Sequence, residues 1–204
     1  MPRQEWYLSL PEYLGMWMTM MLPMMLPSLV PMVSRYRRSV PAEGLRRHGF
    51  TALVGLGYYA VWAGFGVAAF AVSARVTTLQ PGRSDERWLA AAGGLALLLA
   101  GAAQLTGWKA RQLALCRGES GADCQVGATA AGALRHGLGL GLSCSRSCGP
   151  LMVALLVTGM MDPLAMAAAT IAITAERLAP APLQVARMAG VAILAVGVVW
   201  VARS

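Results

Sequence analysis

Sulfur is the element in this chain best placed to do chemistry. Seven of the 13 methionines, Met16, Met18, Met20, Met21, Met24, Met25 and Met32, crowd into one apolar run between Leu14 and Val33. A helix turns about 100° per residue, so Met18, Met21, Met25 and Met32 fall within roughly 60° of one another. Met16, Met20 and Met24 form a second stripe, shared with Pro23, Pro27 and Pro31. Each proline lacks an amide hydrogen and so frees a carbonyl one turn earlier, which a bilayer tolerates only where protein, water or a ligand satisfies it. Thioether sulfur is a soft donor, and soft donors favour Cu(I) among biological metals. Methionine is equally a flexible apolar filler, the role it would take in helices packing around a kinked span.

The second concentration of sulfur is C-S-R-S-C, Cys144 to Cys148, with Met152 one turn further on. An i, i+4 pair lies on one side of a helix, so two thiolates and a thioether there suit one soft ion in two- or three-coordinate geometry. The same spacing makes a poor disulfide, because the side chains run parallel about 6 Å apart. Gly137, Gly141, Ser145 and Gly149 make a small-xxx-small ridge beside this pair. Such ridges bring helices close together, and buried cysteine also serves as one more small residue in them. Cys116 and Cys124 stand in a polar connection with seven residues between them, a gap that matches no zinc finger or ribbon. They read either as loop thiols or as a cytosol-facing acceptor pair.

Other chemistries find no candidate. A two-histidine transmembrane haem needs facing imidazoles inside the bilayer, whereas His48 lies in a basic loop and His136 beside Arg135. Gly137, Gly139 and Gly141 have the look of a dinucleotide fingerprint, but no strand precedes them. The nine acids form no pair inside an apolar run, which leaves hydrolase triads and paired-carboxylate mechanisms without residues. Asp162 reads as a helix cap ahead of Pro163, and Glu176-Arg177 as an interfacial pair.

The elements that must position these sulfurs follow from composition. Of 204 residues, 57% are hydrophobic and 13% charged, far from a soluble domain. The pattern predicts an all-α fold: one polytopic transmembrane helix bundle of about six spans, near 14–33, 50–72, 88–106, 144–161, 163–178 and 185–201. The Gly-rich stretch before Cys144 is expected to lie at the cytoplasmic interface. The net charge of +8 is a matter of topology. Arg35, Arg37, Arg38, Arg46, Arg47, Lys109, Arg111, Arg117, Arg135, Arg146, Arg177 and Arg187 fall on one side, against Arg3, Arg75, Arg83, Arg87 and Arg203 on the other. The positive-inside rule then places both termini outside, in the periplasm if the source is a bacterium. No basic helix with stacking aromatics accompanies the charge, so nucleic acid is not an expected partner. The first run is too long for a signal peptide and has no small-x-small cleavage site, which makes it a retained span.

Several blocks, in order, resemble a known family: MWMTMMLPMMLPSLVPMV, GYYAVWAGFG, LTGWKARQLALC, RHGLGLGLSCSRSC and GMMDPLAMAAATIAITAERLAP. The family is the bacterial predicted metal-binding integral membrane proteins, also labelled copper chaperones. The resemblance runs from about Met16 to Pro180, and its most specific parts are Met24 to Met32 and Gly159 to Leu178. It implies a multi-span protein of the inner membrane whose Met-rich first helix and helical cysteines are the suspected metal ligands. The chain departs from relatives at two places, carrying Gln112 four residues before Cys116 and Ser147 just before Cys148, where they often carry cysteine.

The expectation is a non-enzymatic Cu(I)-handling protein. Met18, Met20, Met21, Met24 and Met25 would collect or relay the ion, and Cys144, Cys148 and Met152 would hold it for delivery to a membrane or periplasmic copper enzyme. The alternative is an accessory subunit of a larger membrane complex, such as a copper-dependent oxidase or monooxygenase, whose sulfurs serve packing alone. A secondary transporter ranks behind both, because broken helices are expected in both halves of such a protein and the prolines interrupt only the first.

Overall fold

The computed structural model describes residues 9–40, 44–78, 85–117, 129–159 and 162–203. Seven helices and no strand lie among them: α1 (Leu10–Ser39), α2 (Gly44–Thr78), α3 (Asp85–Leu105), α4 (Gly107–Arg117), α5 (Ala130–Thr158), α6 (Pro163–Leu178) and α7 (Pro182–Arg203). Four of them, α1, α2, α5 and α7, are long and apolar enough to cross a membrane. A fifth crossing arises if α3 and α4 count as one span bent by 68°. The sequence leads one to expect six. The difference lies in α6, which has only 16 residues, short of the ~20 needed to cross a hydrocarbon core.

Local signals set the helix ends. The Ser9 amide donates to Glu12 Oε2 at 2.8 Å, closing the first turn of α1. Asp162 caps α6 as expected, accepting from the Leu164 amide at 2.9 Å with Pro163 in the first position. Gly159 ends α5 with a φ of 119°, a conformation that a side chain would strain. The Gly-rich stretch expected to be a separate interfacial helix is instead the N-terminal half of α5, continuous with the Cys144 turn.

The chain divides into two compact units. One comprises Pro2–Arg75 and Gly118–Ser145, and the other Val76–Arg117 and Arg146–Ser204. Within the first, α2 lies against the N-terminal half of α5 at glycine-wide spacing. A Cβ at Gly57 would sit 2.6 Å from the Leu134 carbonyl oxygen, and one at Gly137 would sit 2.2 Å from that of Val54. Tyr36, Val40, Val54 and Ala133 form a buried cluster where α1, α2 and α5 meet. Trp17 of α1 donates through Nε1 to the Trp62 carbonyl at 3.0 Å, with Gly66 leaving room for its ring.

In the second unit α3 packs along α7. A Cβ at Gly101 would meet the Leu194 amide nitrogen at 2.9 Å and the Gly190 carbonyl at 3.0 Å. Trp200 Nε1 donates to the Ala90 carbonyl at 3.1 Å near the other end of the pair. Small residues on both helices, Gly101 on α3 and Gly190 on α7, let the two backbones approach closely.

Candidate metal site

The methionines of α1 do not divide into two faces. The residues buried on this helix are Tyr13, Trp17, Met21, Met24, Met25, Ser28, Leu29, Met32 and Tyr36, an arc of roughly 160° at about 100° per residue. The arc is wide because α1 packs against two helices, α2 through Trp17 and Trp62 and α5 through the stacked rings of Tyr36 and His136. Met24, expected beside Met16 and Met20, therefore joins Met21 and Met25, and all three are at most 2% exposed. Met18 and Met20 are half-buried, Met18 within the arc and Met20 just outside its edge. Pro23 is exposed, and Pro27 and Pro31 are half-buried. The proline stripe thus runs along the edge of the buried arc, outside the face that holds Met21 and Met25. Ser28 Oγ, one turn beyond Met24 and 1% exposed, has no hydrogen-bond partner among the described residues.

The sulfur pair and the glycine ridge of α5, which compete as readings of the sequence, are one face of the helix. Gly137 and Gly141 precede Cys144 on it, and a Cβ at Gly141 would lie 3.0 Å from the Tyr58 carbonyl. The ridge ends before Gly149, where a Cβ would meet nothing within 4 Å. The close approach of α2 brings the Tyr58 hydroxyl to 3.0 Å from Cys144 Sγ, with both residues fully buried. Tyr59, the next residue, sets its ring edge-on to Tyr58 and donates to the Leu22 carbonyl of α1 at 3.2 Å. Adjacent tyrosines of α2 thus touch the cysteine turn on one side and the methionine run on the other, within a single unit.

Cys148 is 1% exposed and Met152 8% exposed, one and two turns further along α5. Neither Cys144 nor Cys148 is in a disulfide. Cys116 falls on α4, and Cys124 lies outside the described residues. Among the described residues, no group of three or more His, Cys, Asp and Glu side chains is gathered for a metal ion. Such a group is the arrangement for zinc or a hard cation; a soft monovalent ion needs only two or three sulfurs.

The defining pattern of the PpoB2 family, described as copper chaperone, matches residues 14–200. The chain belongs to that copper chaperone family. The match takes in every sulfur considered above, from Met16 to Met152, and a family so described supports a copper-handling role. No curated protein and no solved structure matches the chain.

One polar group in this copper chaperone family member escapes a reading of the sequence. Lys109, counted there among the loop charges, and Glu176, assigned there to an interfacial pair with Arg177, are each 1% exposed and meet at 2.7 Å. Gln104 donates to the other oxygen of Glu176 at 2.8 Å, and the Lys109 ammonium also donates to the Ser147 carbonyl. All four belong to the second unit. The sequence does hold one signal for Lys109: it is two residues past Thr106-Gly107, where the apolar run stops short.

Proposed function

We propose that this protein is a non-enzymatic carrier of Cu(I) in the bacterial inner membrane, with copper as its cargo. Met21, Met24 and Met25 of α1 receive or relay the ion, with Met18 and Met20 at the margins of the site. Cys144, Cys148 and Met152 of α5 hold it before delivery to a membrane or periplasmic copper enzyme. The observation that carries this reading is the burial of three methionines on one arc of α1, in the same unit as a buried cysteine held by Tyr58. Thioethers and thiols away from water are soft donors that bind Cu(I) and offer little to Mg²⁺ or Ca²⁺. The partnerless hydroxyl of Ser28 among the same methionines is a polar atom that apolar packing alone leaves unexplained.

The test is the metal content of the purified full chain after exposure to Cu(I). Wild type is compared with Cys144→Ser/Cys148→Ser and with Met21→Leu/Met25→Leu. Stoichiometric copper in wild type and its loss in either variant is the expected result. Because Met and Leu are close in volume, each substitution in the second variant should change stability by less than about 1.5 kcal/mol, so lost copper in a folded variant reports lost ligands. A metal-free wild type that still co-purifies with a larger membrane complex would overturn the proposal in favour of an accessory subunit.

A further inference from the structure

Lys109, Glu176 and Gln104 form a charged group inside a helical unit, at 2% exposure or less. Desolvating such a pair offsets most of its attraction, and well-packed apolar side chains of the same volume would stabilise the unit as well or better. A gain in stability therefore does not account for it. What the group does supply is direction: the ammonium is tied to the Glu176 carboxylate, and Gln104 holds the second oxygen of that carboxylate. The remaining contact of the ammonium is the Ser147 carbonyl, in the turn of α5 that carries Cys148.

That turn is one helical bond short. Pro150 stands inside α5 and has no amide hydrogen, so the Arg146 carbonyl loses its helical bond. The ladder is weakened in the turn containing Ser147 and Cys148. Lys109 reaches it because the chain breaks between Leu105 and Gly107 and turns through 68°, which puts Lys109 in the first turn of α4.

We infer that Lys109 is a positioning residue for Cys148. Its ammonium, oriented by Glu176 and Gln104, holds the Pro150-weakened turn of α5 and so fixes where the Cys148 sulfur stands. This rests on the proposed role of Cys148 as a Cu(I) ligand, and it adds the residue that sets the ligand's geometry.

The experiment uses the full chain in detergent or lipid nanodiscs, with Cys148 kept as the sole cysteine by Cys116→Ser, Cys124→Ser and Cys144→Ser. The rate of maleimide alkylation of Cys148 is measured with Lys109 intact, in Lys109→Met, and in Lys109→Met/Glu176→Leu. The double variant leaves no unpaired buried charge and keeps the test valid where the single one misfolds. Release of a charge-assisted hydrogen bond should raise the rate about ten- to hundredfold in both. In a second arm, a chromophoric chelator competes for Cu(I) with the four-cysteine chain. The double variant should bind Cu(I) about tenfold more weakly, and the loss should vanish when Cys148→Ser is added, which general damage to the unit would not allow. An alkylation rate in the folded double variant equal to wild type overturns the inference, as does a copper deficit that persists without Cys148. A wild type that binds no Cu(I) instead overturns the carrier proposal and leaves the alkylation arm to decide the role of Lys109.

Discussion

Substituting one methyl group should separate the two helices that present Cys144. A Cβ added at Gly137 would lie 2.2 Å from the Val54 carbonyl oxygen and 2.9 Å from its Cα. These are backbone atoms and cannot rotate aside. To open that gap to the ~3.3 Å at which carbon and carbonyl oxygen ordinarily meet, α2 must retreat by about 1 Å. Overpacking of this kind costs about 1–3 kcal/mol. The retreat carries Tyr58, one turn beyond Val54, away from Cys144, and their contact of 3.0 Å then lengthens to about 4 Å, the outer limit of a hydrogen bond to sulfur. Gly139→Ala is the control. It sits in the same helix two residues on, its Cβ would meet nothing within 4 Å, and it should gain up to about 1 kcal/mol from restricting the unfolded chain. Thermal unfolding in detergent, followed by a thiol-reactive dye, compares the pair. Gly137→Ala should lower the midpoint by roughly 3–10 °C relative to Gly139→Ala, at a few degrees per kcal/mol for a chain of this size. Equal midpoints would refute the claim that α2 and α5 meet backbone to backbone.

Two further outcomes test separate contacts. Tyr58→Phe removes the hydroxyl beside Cys144 and leaves the ring. In a chain with Cys144 as its sole cysteine it should speed alkylation of that residue several-fold, about 1 kcal/mol of lost hydrogen bonding, with no change in helical content by circular dichroism. Asp162→Ala should cost about 1 kcal/mol by uncapping α6, read as a lower unfolding midpoint; Asp162→Asn keeps an oxygen acceptor for the Leu164 amide and should restore most of the loss.

Much of the fold is legible in the sequence because it is written in neighbouring residues. Apolar runs mark the helices, Asp162-Pro163 marks a helix start, and the crowding of methionines into one segment marks the candidate site. The parts that are not legible depend on neighbours in space. Periodicity separates Met24 from Met21 by about 60° and suggests two faces, but a helix touching two partners buries an arc wide enough to hold both. Gly137 and Gly139 are alike in the sequence, yet a Cβ collides with backbone at the first and meets open space at the second. The Cys and Gly patterns of α5 stand as rivals until α2 is seen lying on both.

The sequence by itself determined that this is an all-helical chain with several runs apolar enough for a bilayer, and that its soft donors are concentrated in two places. Those properties follow from composition and from spacings of three or four residues, which a helix converts into a face without help from the rest of the molecule. Tertiary structure decided which faces are buried and what touches them: Met24 with Met21 and Met25, Tyr58 against Cys144, and Lys109 with Glu176 across 67 positions of sequence. A charge reads as a loop residue in sequence because burying it alone is prohibitive. It can lie inside only when a partner arrives from elsewhere in the chain, and no local pattern announces that arrival.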